Sequence, residues 1–156
     1  MRFDIDTTIG YVVNRTAVML RQELQRRFRA VNQHLTAEEW ALMGQLWKQD
    51  GLSRHELADR TIKDQTTVTR LLDALVTKGL VRRAYHPADR RIVQIWLTER
   101  GWQLETELVP VARALMADTA HGIPAEDIAI TLRTLRRMQE NLLASNSGGA
   151  GEVRTS

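Results

Sequence analysis

A chain of 156 residues, 43% of them hydrophobic, can bury a core, and fits one compact domain or one core with an extension. The absence of cysteine excludes disulfide scaffolds, thiolate zinc sites and thiol-based redox sensing, while a formal net charge of +3 says little by itself. No apolar run approaches the roughly 18 residues that span a bilayer, and Met1 to Gly10 carries acids without an apolar signal core, so a cytoplasmic protein with no membrane partner is expected.

Taken in chain order, Ile9 to about Val31 reads as a long amphipathic helix. Ile9, Val13, Ala17, Leu20, Leu24, Phe28 and Val31 recur at three- and four-residue spacing. Such a stripe needs a partner surface, within the chain or on another copy. Thr36 with Glu39 forms a capping box that opens a second helix, whose Trp40, Leu42, Met43, Leu46 and Trp47 make it apolar on most sides and hence central. Asp50-Gly51 ends it. A second capping box, Ser53 with Glu56, opens a two-turn helix through Leu57 and Ala58, Thr61-Ile62-Lys63 makes a turn, and a fourth helix runs from a cap at Asp64 to a stop at Gly79. Two helices so joined make a helix-turn-helix.

From Leu80 the period changes from helical to alternating. Leu80 to Tyr85 and Ile92 to Leu97 read as two strands around the turn His86-Pro87-Ala88-Asp89-Arg90, a hairpin with a basic tip. Arg82, Arg83, Arg90 and Arg91 stand there against Asp89 alone, which suits a phosphate footprint and equally a solvated arginine-rich surface. Thr98 caps a fifth helix carrying Leu104, Leu108, Val111 and Leu115, in which Pro110 should introduce a kink. After His121-Gly122-Ile123-Pro124 a last helix sets Ile128, Leu132, Leu135, Met138 and Leu142 in a seam close to a coiled-coil repeat. Residues 145–156, rich in Gly and Ser, read as a disordered tail. The fold class is therefore mainly α with a small β-hairpin wing.

The fourth helix carries the chemistry. At about 100° per residue, Val68, Leu71, Leu72 and Leu75 share the inward sector, while Thr66, Arg70, Asp73 and Thr77 lie opposite, with Thr67 and Thr69 at the margins. Hydroxyls can donate to phosphates or bases, and an arginine can engage guanine with two hydrogen bonds in the major groove. A threonine-rich solvated helix is the plainer reading of that face alone. The preceding short helix and the basic hairpin that follows favour DNA.

Leu57-Ala58, Thr67 to Leu75, Lys78 to Arg83, and above all Pro87-Ala88-Asp89-Arg90-Arg91 leading to Leu97-Thr98-Glu99-Arg100-Gly101, resemble the MarR (multiple-antibiotic-resistance regulator) family. Leu35-Thr36 with Trp40, and His121-Gly122-Ile123, look closest to its SlyA-like branch. The resemblance implies a cytoplasmic homodimer, probing double-stranded DNA at a palindromic operator as a transcriptional regulator expected to repress. The chain divides accordingly into a dimerisation helix (1–34), a winged helix-turn-helix domain (35–98), C-terminal dimerisation helices (99–144) and the tail. Asp89 would orient Arg91 into a narrow minor groove, where negative potential is concentrated. The DNA-binding set is then Ser53, Gln65, Thr66, Thr67, Thr69, Arg70, Arg82, His86, Asp89, Arg90 and Arg91.

Many regulators of this kind let go of DNA when a small aromatic or phenolic anion binds. The resemblance places Trp40 and Arg70 at the border of such a site, although Trp40 also suits a plain core role. Urate sensing would call for a tryptophan in the first helix, which has none. His34, His55, His86 and His121 are scattered without metal spacing, so no metal or cofactor is expected. An enzyme is not expected either, since the chain lacks a glycine-rich phosphate loop, a Gly-x-Ser-x-Gly elbow and a His-Glu-x-x-His motif. The remaining alternative, a winged-helix module for protein contacts alone, would need neither the hydroxyl-and-arginine helix face nor the arginine at the wing tip.

Overall fold

A computed structural model describes residues 2–148, so residues 149–156 of the expected tail lie outside the described residues. The described residues form six α-helices and one three-stranded antiparallel sheet, and the chain divides into two units after Leu115.

In the first unit, α1 (Ile9–Ala30) is capped by Thr8, whose hydroxyl accepts from the Tyr11 N–H. Of its apolar stripe only Leu24 and Phe28 are buried, whereas Ile9, Val12, Val13 and Met19 stay exposed in the single chain. α2 (Ala37–Lys48) begins with the reciprocal Thr36/Glu39 capping box and buries Leu42, Met43 and Leu46. Glu39 is also the buried charged residue of the described chain. Its carboxylate accepts from the Thr36 N–H at 3.1 Å and from Lys78 Nζ at 2.6 Å.

The sequence indicated a two-stranded hairpin, and the structure adds a strand. β1 (Leu52–Ser53) pairs antiparallel with β3 (Val93–Leu97), which also pairs with β2 (Val81–Tyr85), giving the order β1-β3-β2. Leu52 faces the core opposite Ile95, and the strand ends because Ser53 becomes the cap of α3 (Arg54–Thr61). α4 (Gln65–Thr77) is capped by Asp64 and buries Val68, Leu71, Leu72 and Leu75, the inward sector its periodicity marks.

Tight junctions fix these elements. α4 ends through Gly79 at φ 71°, with the Leu80 N–H on the Leu75 carbonyl. The Thr98 hydroxyl, which accepts from the Gly101 N–H, donates to the Gly79 carbonyl at 2.6 Å. α5 (Glu99–Thr119) therefore starts against the end of α4, and a Cβ on Gly101 would fall 2.2 Å from the Leu80 carbonyl oxygen. The Gly101 carbonyl meanwhile accepts from Trp47 Nε1 at 3.0 Å. α5 is continuous across Pro110 from Glu99 to Thr119.

In the second unit, α6 (Ala125–Gly148) buries no residue. Ile128, Leu135 and Met138 of its seam are half-buried, and Leu132 and Leu142 are exposed. The helix extends four residues into the segment expected to be a tail. There the Ser145 and Ser147 hydroxyls donate to carbonyls four residues back, a local bond that lets serine continue a helix. Among the described residues no helix is long and apolar enough to cross a membrane.

Two substitutions test this packing. Ile62, which is exposed, closes α3 in the left-handed conformation at φ 53°, where a β-branched side chain crowds the backbone. Ile62→Asn is expected to raise the unfolding free energy by about 1 kcal/mol, read from urea melts, because asparagine tolerates that conformation. Gly101→Ala should cost at least about 2 kcal/mol in the same assay, since backbone stands where the methyl must go.

Candidate nucleic-acid interface

Between α3, α4 and the hairpin lies a cleft of about 390 Å³, floored by Leu72, Val93 and Ile95. Four of the residues expected to touch DNA line it, namely Ser53, Gln65, Thr69 and Arg91. Three that sequence reasoning did not assign there line it too: Arg54, His55 and Arg83.

Local bonding decides which of these side chains remain available. The Ser53 hydroxyl accepts from the Glu56 N–H as a helix cap. Thr67 donates its hydroxyl to Asp64 at 2.9 Å, and Thr69 donates to the Gln65 carbonyl at 2.8 Å while accepting from Arg54 Nη1 at 3.3 Å. Thr66 is exposed, and among the described residues its hydroxyl has no partner. Gln65 Nε2 lies 3.1 Å from His55 Nδ1, and His55 Nε2 lies 3.4 Å from Asp59, which ties the start of α4 to α3. Asp73, an acid on the outward face of α4, is ion-paired with Arg83 of β2.

The register of the hairpin separates its arginines. Arg83 shares a strand face with buried Val81, toward α4, whereas Arg82 points to the other face and stands 6.0 Å over the Trp96 ring. The structure thus places Arg83, rather than Arg82, beside the other cleft residues.

At the tip, Asp89 and Arg91 form a two-pronged pair, with Nε and Nη2 each 3.0 Å from a carboxylate oxygen, while the Arg91 N–H donates to the same carboxylate. The carboxylate is partly covered and the arginine is 90% exposed, so Asp89 holds Arg91 outward. Arg91, by side-chain and backbone hydrogen bonds, keeps the Asp89 carboxyl below its ordinary value. His86 braces the turn, its Nδ1 accepting from the Ala88 N–H at 3.1 Å, and Arg90 is exposed beside it.

A second concave region lies behind α4. Trp40 packs between Phe28 and Trp47, at 5.1 and 5.2 Å between ring centroids, and still lines a cleft of about 510 Å³ with Arg21, Glu38, Arg60 and Lys63. Arg70 lines an adjoining cleft of about 240 Å³ that shares Arg21, Ala37 and Glu38 with the first. Trp40 therefore fills the core with one part of its surface and walls a cleft with another.

The profile of the MarR family matches residues 35–93. Three solved structures resemble the chain over nearly its whole length. Bordetella bronchiseptica BpsR, whose DNA binding is regulated by 6-hydroxynicotinic acid, is 25% identical at a TM-score of 0.81, over 89% of this chain and 98% of that one. A MarR-family transcriptional regulator from Silicibacter pomeroyi is 28% identical at 0.73, over 88% and 92%. The transcriptional regulator PA3341 is 30% identical at 0.76, over 88% and 99%.

Helix-turn-helix, flanking hairpin and sheet together define a winged helix-turn-helix transcriptional regulator, not an enzyme. The chain belongs to the MarR family.

The Asp89–Arg91 pair has a pH signature. Because the folded carboxyl is held low, the pair is fully formed above pH 3.8, the ordinary aspartate value, and is lost only as the pH falls below the depressed folded value. A carbon NMR titration of the Asp89 carboxyl should give a midpoint below 3.8, and Arg91→Ala should return it toward that value.

Proposed function

We propose that the chain is a homodimeric repressor of the SlyA-like type that acts in the cytoplasm on palindromic double-stranded DNA. In this reading α4 enters the major groove, presenting Gln65, Thr66, Thr67, Thr69 and Arg70, while Arg91, Arg90 and His86 approach the backbone and minor groove at the wing. Ser53 and Arg82 take flanking phosphates, and Asp89 keeps Arg91 extended. The observation that carries the proposal is the juxtaposition of Arg54, Arg83 and Arg91 with the N-terminal turn of α4 around one cleft. Three-carbon stems and forked cations around a short-side-chain helix suit a polyanion with a groove.

Dimerisation is supported by the apolar surface that the single chain leaves open, Ile9, Val12 and Val13 on α1 and Leu132 and Leu142 on α6. Two copies related by a twofold axis would carry two reading helices, hence the palindrome. Release by a small aromatic anion is supported by the tryptophan-walled, cation-rimmed cleft behind α4 and by the response of BpsR to 6-hydroxynicotinic acid.

Gel-shift titration on the promoter fragment beside its own gene tests the DNA reading. Arg91→Ala is expected to weaken binding about tenfold and to flatten the slope of log affinity against log salt by roughly one. An unchanged affinity and slope would remove Arg91 from the interface. The absence of any salt-steep duplex binding by the wild type would leave a protein-contact module in its place.

A further inference from the structure

The cleft walled by Trp40 already contains an anion of the protein's own. Glu38, on the first turn of α2, is shared by both adjoining clefts and stands 3.9 Å from Lys63 Nζ and 3.7 Å from Arg70 Nη2. These distances are ion pairs without hydrogen-bond geometry. Nothing else acidic in the two clefts competes for the cations, because Glu39 is already committed to Lys78. Arg21, which lines both clefts, has no ion-pair partner among the described residues. The rim thus holds Arg21, Arg60, Lys63 and Arg70 against the single half-exposed carboxylate of Glu38.

Resting on the effector reading proposed above, we infer that Glu38 is an internal competitor that occupies the cation rim in the empty protein and is displaced by the carboxylate of an aromatic effector. A loosely held carboxylate is easily exchanged for a better-placed one, so the cost of entry is small. It is not zero, because the displaced charge remains nearby and repels the newcomer. Glu38 therefore sets the selectivity and threshold of the cleft: it weakens anionic ligands and leaves neutral ligands of the same shape unaffected.

The two cations also explain how occupancy reaches the DNA-reading helix. Lys63 sits in the turn between α3 and α4, and Arg70 sits on α4 itself. While Glu38 holds both, α2 is linked electrostatically to the reading helix and its preceding turn. A bound carboxylate that takes over both cations replaces that link by one to the effector.

Calorimetry with 6-hydroxynicotinate as the probe, and 6-hydroxynicotinamide as its uncharged counterpart, tests the assignment at neutral pH. Glu38→Gln, with circular dichroism to confirm the fold, is expected to bind the carboxylate about three- to tenfold more tightly than wild type, the effect of removing one nearby screened like charge. The amide should bind both proteins equally, and Lys63→Gln should weaken the carboxylate alone. Equal carboxylate affinity for wild type and Glu38→Gln would overturn the role of Glu38 while leaving the effector reading intact. Failure of wild type and both variants to bind either probe at millimolar concentration would overturn both.

Discussion

A carboxylate taken out of water must find full compensation nearby, and Glu39 meets that demand with groups from two separate places in the chain. It receives the Thr36 N–H from its own helix start and an ammonium from Lys78 at the end of α4. The same ammonium reaches across to the His34 carbonyl in the loop after α1. The start of α2, the end of α4 and the α1–α2 loop are thereby held at one point. Loss of either charge would strand the other beneath partial cover, so the pair fixes position more than it adds stability. Every outward feature of α4 depends on that anchor, because the helix has only one way to lie once its C-terminal end is fixed and its apolar sector is buried.

α4 contributes residues to two of the clefts, Gln65, Thr69 and Leu72 to one and Arg70 and Leu71 to another. At the first, α4 faces the hairpin, with Arg83 neutralising Asp73 and Arg54 reaching Thr69. At the second its Arg70 meets Glu38 of α2. In the proposed reading the effector and DNA sites share α4, a 13-residue helix whose inner face is buried in the core. A displacement of that helix would then alter both surfaces together, since packed interiors transmit displacement instead of absorbing it.

Local signals in the sequence were strong wherever a few adjacent residues decide the outcome. The capping boxes at Thr36/Glu39 and Ser53/Glu56 and the cap at Asp64 start their helices as their chemistry demands. The hairpin and the inward face of α4 follow from periodicity in the same way. β1 was not legible: two residues show no alternation, and their partners lie some forty positions later in β3. Arg83 was counted in the basic cluster of the hairpin but left out of the DNA-binding set, although strand alternation from buried Val81 puts it on the helix side and sends Arg82 away. The threonines show the opposite limit. Their spacing on the outer face is as read, yet Thr67 and Thr69 turn their hydroxyls to Asp64 and to the Gln65 carbonyl, local bonds for which spacing gives no warning. Glu38 drew no notice either, because its partners come from the α3–α4 turn and from α4.

The Arg83–Asp73 ion pair bridges β2 to the exposed face of α4. In the proposed DNA complex it would help to hold the span from Thr66 to Arg91. A mismatch between that span and the groove spacing of a given site would then fall on the DNA, as bending or twisting. Flexible pyrimidine–purine steps absorb such strain cheaply and stiff tracts do not. Base pairs that no side chain touches would then still influence which sites are occupied.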